Sequence, residues 1–89
     1  MNYLNMISEL EQLVRQREIL IRYEKGDFEG GYCILKDKKI LVVNKRLHDM
    51  RKASVLAQAL SEIGIEGIFV KPAIRDYIDE ELAKVAKQK

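Results

Sequence analysis

Cys33 and His48 are the single cysteine and single histidine of this chain, and they hold the chemistry closest to hand. A catalytic cysteine needs its thiol held as thiolate and a base beside it. A thiol-dependent enzyme would therefore require the fold to return His48 onto the strand that carries Cys33. The other reading of Cys33 is a small apolar residue buried in a strand, and that is the one expected. His48 stands just before a helix start and is expected as a surface or capping residue. A lone cysteine allows no intrachain disulfide and suits a reducing cytoplasm.

Metal chemistry has few donors. A structural zinc site wants four Cys, His or carboxylate ligands at close spacing. Asp27 with Glu29, and Asp76 with Asp79 and Glu80, are carboxylates of the kind that hold a hard cation loosely; solvated acidic faces are the expected reading. Gly30-Gly31 offers backbone amides for an anion nest, but neither a P-loop nor a dinucleotide fingerprint accompanies it. No cofactor and no enzymatic activity are expected.

Charge is more informative. The chain of 89 residues has 16 basic and 14 acidic side chains. Seven of the basic ones and only two acidic ones fall between Lys36 and Lys52. Lys36, Lys38 and Lys39 form one cluster; Lys45, Arg46, Arg51 and Lys52 form another, a strand of roughly 17 Å away. Phosphate contacts need such charges on one surface. Lys36, Lys38, Lys39, Lys45 and Arg46 are the candidate nucleic-acid or anion contacts. No recognition-helix, RRM or KH pattern goes with them, so nucleic acid is the second-ranked partner.

These residues sit on a recognisable frame. Gly30 to Asn44 places two apolar runs around one charged turn, which predicts a β-hairpin of Tyr32 to Leu35 against Lys39 to Val43. Lys36-Asp37-Lys38 lacks glycine, so a type I based loop is expected over a tight type I′ turn. Asn2 to Arg17 carries Leu4, Ile7, Leu10, Leu13 and Val14 at helical spacing, with Asn2 as its cap. Ile19 to Tyr23 alternates as a strand, with Ile19, Ile21 and Tyr23 on one face. Asp49 is the expected cap of a helix from Met50 to Ile63 that ends at Gly64. Ile68 to Val70 is a candidate fourth strand. Pro72 opens a last helix whose apolar side is Ile74, Tyr77, Ile78, Leu82 and Val85.

The expectation is one α+β domain over residues 1–89. Its sheet has three to four mainly antiparallel strands packed against two or three helices, in the order αβββα(β)α. Its 47% hydrophobic and 34% charged residues fit a globular domain rather than a disordered chain. No run approaches the roughly 20 apolar residues of a membrane span, and the N-terminal stretch enters directly on a charged amphipathic pattern. A membrane partner is not expected.

The run from Ile19 to Ile63 resembles the N-terminal half of the zinc peptidases that cleave phage-type repressors. Ile40-Leu41-Val42-Val43-Asn44, then Arg51 and the helix after it, carry the likeness. It implies a helix, a small sheet and a helix. Ala57-Gln58-Ala59-Leu60-Ser61 stands where that family has His-Glu-x-x-His, so the metal ligands and the glutamate base are missing and hydrolysis by that route is not implied. The whole chain is also similar to small conserved bacterial proteins of unknown function, a kinship that implies no chemistry.

The leading functional expectation is a non-enzymatic protein-interaction or structural domain, most simply a homodimer. The hairpin is apolar on both faces, and helices are expected to cover one. Phe28, Tyr32, Ile34, Ile40 and Val42 are the candidate interface residues.

Overall fold

The computed structural model describes residues 2–87, with side chains through Lys84. Three helices and three strands follow in the order α1 (Tyr3–Gln16), β1 (Leu20–Glu24), β2 (Gly30–Leu35), β3 (Lys38–Asn44), α2 (Asp49–Ile63) and α3 (Pro72–Lys87). The α+β class and the αβββαα order are those expected from the sequence. Ile68 to Val70 is irregular, so the sheet has three strands.

The strand order is β1-β3-β2. β3 pairs antiparallel with β2 and parallel with β1, which makes the sheet mixed. The β1–β2 connection must therefore pass over the end of β3. Asn44, the last residue of β3, holds that crossing. Its Nδ2 donates to the carbonyls of Gly26 at 2.8 Å and Phe28 at 2.7 Å, and its Oδ1 accepts from the Arg46 amide at 3.0 Å. Its main chain adds Asn44 N–H to Glu29 O at 2.9 Å. A buried amide that satisfies three neighbours fixes a loop which has no ladder of its own.

The helices all lie on one side. α1 packs on β1, α2 packs on β3 and β2, and α3 packs on the helices rather than on the sheet. The core is Leu10, Leu13 and Val14 of α1, Leu41 and Val43 of β3, Val55, Leu56 and Leu60 of α2, and Ile74 and Ile78 of α3, with Ile19 at the entry to β1. α2 is sandwiched, which is why Val55 and Ala59 are buried beside Ala53, Leu56 and Ala57. Met50, in the first turn of that helix, is exposed.

The caps differ in one place. Asn2 Oδ1 accepts from the Asn5 amide at 2.8 Å, as its position predicts. α2 begins one residue earlier than expected, so His48 occupies the cap position and Asp49 lies in the first turn. The His48 side chain makes no capping bond there. Asp49 instead supports the helix through its charge near the positive end of the dipole. Gly64 closes α2 at φ 92°, with its N–H on Leu60 O at 2.8 Å. Arg17 reaches over from the end of α1 to the carbonyls of Gly64 (3.2 Å) and Glu66.

Candidate functional site: the uncovered sheet face

The hairpin turn decides which side chains face away from the helices. Leu35 pairs with Lys38, so the turn is Lys36-Asp37 alone. Both residues have positive φ, 50° and 69°, the signature of a type I′ turn. This corrects the longer type I based loop expected from Lys36-Asp37-Lys38. The consequence is a one-residue change of register, and that exchanges faces. Tyr32 lies opposite Leu41 and Cys33 opposite Ile40.

Tyr32 and Ile34 therefore share the helix-covered side with Ile21, Tyr23, Leu41 and Val43. Ile40 and Val42 share the other side with Leu20 of β1 and with Cys33 and Leu35 of β2. Of the expected interface residues, Ile40 and Val42 lie on the open face, whereas Tyr32 packs against the core and Ile34 is exposed at the sheet edge. Phe28 is half-exposed in the crossing loop, with its ring lying over Gly26 so closely that a Cβ there would meet it at 2.3 Å.

The register has a packing reason. Gly30 faces α2 opposite Val43, and a Cβ on it would stand 2.5 Å from the Val42 carbonyl and 2.8 Å from Val55 Cγ1. Only glycine lets α2 come that close. Gly31, on the open side, has nothing near its missing Cβ. The Gly30-Gly31 pair is thus explained by packing on one face and openness on the other.

The open face is apolar at its centre. Ile40 is only 6% exposed although it lies on the face turned away from Leu41 and Val43 and outside the main core. Its neighbours shield it: Leu20 on one side, Leu35 on the other, themselves 56% and 58% exposed. Arg22, Lys36 and Lys38 rim the shallow depression they make. Arg22 has Glu24 beside it at 3.9 Å, an exposed and weak pair. Cys33 is exposed on this face, which corrects the buried cysteine expected from its apolar strand. β2 is an edge strand with no helix beneath that position, and so its apolar sequence does not imply burial.

Cys33 and His48 stay apart. Cys33 is level with Ile40, and β3 runs on for about 13 Å before it ends at Asn44. His48 follows beyond that end, exposed. The basic window is likewise divided. Lys36, Lys38 and Lys39 stand at the turn end; Lys45 and Arg46 stand past the other end, with about 20 Å of strand between Lys39 and Lys45. Arg51 is engaged by Glu29, and the Lys52 ammonium lies over the Tyr23 ring at 5.8 Å on the helix side.

Ala57 is buried in α2, Gln58 is half-buried with its Nε2 donating to Ser54 Oγ at 3.1 Å, and the Ser61 hydroxyl donates to the Gln58 carbonyl at 2.6 Å. Among the described residues no three His, Cys, Asp or Glu side chains converge as metal ligands, and no helix is long and apolar enough to cross a membrane. No protein-family model, curated protein or solved structure matches this chain.

Proposed function

We propose that this chain is a protein-interaction domain that self-associates, two copies packing together through their open sheet faces. The observation that supports this most is the one-sided layering: Leu20, Leu35, Cys33, Ile40 and Val42 make a contiguous apolar centre on the face that carries no helix. A sheet with an apolar face is stable in water when something covers it.

The basic turn end decides how a second copy would lie on this face. The turn end carries Lys36, Lys38 and Lys39 around Asp37; the loop end mixes both signs, Glu24, Asp27 and Glu29 with Lys25, Lys45 and Arg46. A twofold axis lying in the interface and running across the strands turns one sheet end for end. Each basic turn then meets the other copy's loop end of mixed charge rather than its basic turn. An axis along the strands would set like ends together, which is unfavourable.

The face is small. Three strands about 4.8 Å apart and five residues long span about 250 Å² of sheet. A standard interface buries roughly 800 Å² per partner, so the association is a weak one. Amide spectra recorded at about 20 μM and about 1 mM test this. Concentration-dependent shifts at Leu20, Cys33, Leu35, Ile40 and Val42 are expected. Shifts confined to the helices would contradict the proposed face.

A further inference from the structure

A polar cleft of about 220 Å³ lies between α2 and α3, on the helical side of the molecule and away from the open sheet. Tyr3 of α1, Met50 of α2 and Tyr77 of α3 form its walls. Glu81 lines it and is only 3% exposed. Glu81 Oε1 accepts a hydrogen bond from the Tyr77 hydroxyl at 3.2 Å. Glu81 Oε2 is buried with no hydrogen bond among the described residues. Its company is the Lys84 ammonium at 3.1 Å, on a side chain that is 68% exposed, and the Ser54 hydroxyl that lines the same cleft.

This is an unusual use of a carboxylate. Taking one out of water with its lone pairs only partly filled is unfavourable. A long, solvated lysine is a weak and easily exchanged partner. Arg51, the other cation at the cleft, is already held by Glu29. Glu81 nevertheless stays ionised at neutral pH. Burial pushes its carboxyl up, but the Ser54 hydroxyl, the Lys84 ammonium and the Tyr77 hydroxyl outweigh that and hold it below the usual value. A buried carboxylate beside two aromatic walls is the chemistry that recognises an organic cation.

The geometry points to this cleft as a binding site for a primary alkylammonium group, seated on Glu81 Oε2 between Tyr3 and Tyr77. Lys84 shows that an ammonium fits that oxygen, and a ligand bearing the same group displaces it into solvent. The ammonium belongs either to a free amine or to a lysine side chain of a partner peptide; the site chemistry is the same for both.

The test is an NMR titration of the whole chain at constant ionic strength with n-butylammonium, a capped Gly-Lys-Gly peptide and tetramethylammonium. Saturable shifts at Ser54, Tyr77 and Glu81 are expected with the first two. Tighter binding of the peptide assigns the cation to a partner's lysine, and tighter binding of butylammonium to a free amine. Lys84→Ala removes the internal competitor from an exposed position, so it keeps the fold and tightens binding about two- to fivefold. Glu81→Gln weakens binding by more than about tenfold. The absence of saturation in Lys84→Ala would overturn the assignment, as would equal affinity for tetramethylammonium, which has no N–H to donate.

Discussion

Leu35 pairs directly with Lys38 across a two-residue turn, and this one contact sets the whole outer face of the sheet. Had Leu35 paired with Lys39, Tyr32 and Ile34 would share a face with Ile40 and Val42 instead of with Leu41 and Val43. The account of self-association rests on that register.

The turn is held against the preference of its residues. Lys36 and Asp37 both take left-handed conformations, as does Glu18 just past the end of α1. Asn and Gly suit the two turn positions, and Gly suits the helix end. K36N/D37G and Glu18→Gly should each raise stability by about 0.5–1 kcal/mol, read from urea midpoints. A loss on K36N/D37G would mean that the turn is not of the left-handed kind.

The same turn explains how far the sequence could be read. The helices, the strands and their order follow from apolar spacing, Asn2, Gly64 and Pro72. The register did not, because β3 is apolar at four successive positions, Ile40 to Val43, and tolerates either face inward. The deciding features are the lack of space at Gly30 and the geometry of a turn without glycine. Neither shows in local propensity. Glu81 was hidden for a related reason. Spacing from Ile74 and Ile78 continues equally well to position 81 or 82, and Leu82 is the apolar choice. The structure buries Glu81 and leaves Leu82 47% exposed.

The two sheet faces should respond differently to substitution. Leu41→Ala opens a cavity in the core under α2 and should cost about 2–5 kcal/mol. Leu35→Lys, on the open face, should change monomer stability by less than about 0.5 kcal/mol. Thermal and urea unfolding of dilute protein compares them. Equal losses would show that the open face is part of the folding core.

Asn44 should matter more than its place at a strand end suggests. Asn44→Ala removes two donated bonds and one accepted bond from the crossing loop and should cost about 2 kcal/mol. Amide exchange at residues 26 to 30 should rise with it. Unchanged exchange there would mean that the loop is held by other contacts.

Stability should fall at both ends of the pH range. Glu81 has a folded-state pKa below the ordinary 4.5, so its contribution is present above that pH and is lost as pH falls through the lower folded value. Tyr23 and Tyr77 are shifted upward, by burial first and then by Glu11 and Glu81 respectively. Their contribution is present below the ordinary 10.0 and fades as pH rises toward the folded values. Glu81→Gln should flatten the acid limb, and Tyr23→Phe the alkaline limb. Limbs unchanged by these variants would place the titrating groups elsewhere.

The most direct test of the central claim is sedimentation equilibrium of the wild type and of Leu35→Lys, from about 10 to about 500 μM. The wild type should rise from the 10.3 kDa of one chain toward twice that mass across this range, while the variant stays monomeric. A wild type fixed at 10.3 kDa throughout, or a variant that associates equally well, would contradict it.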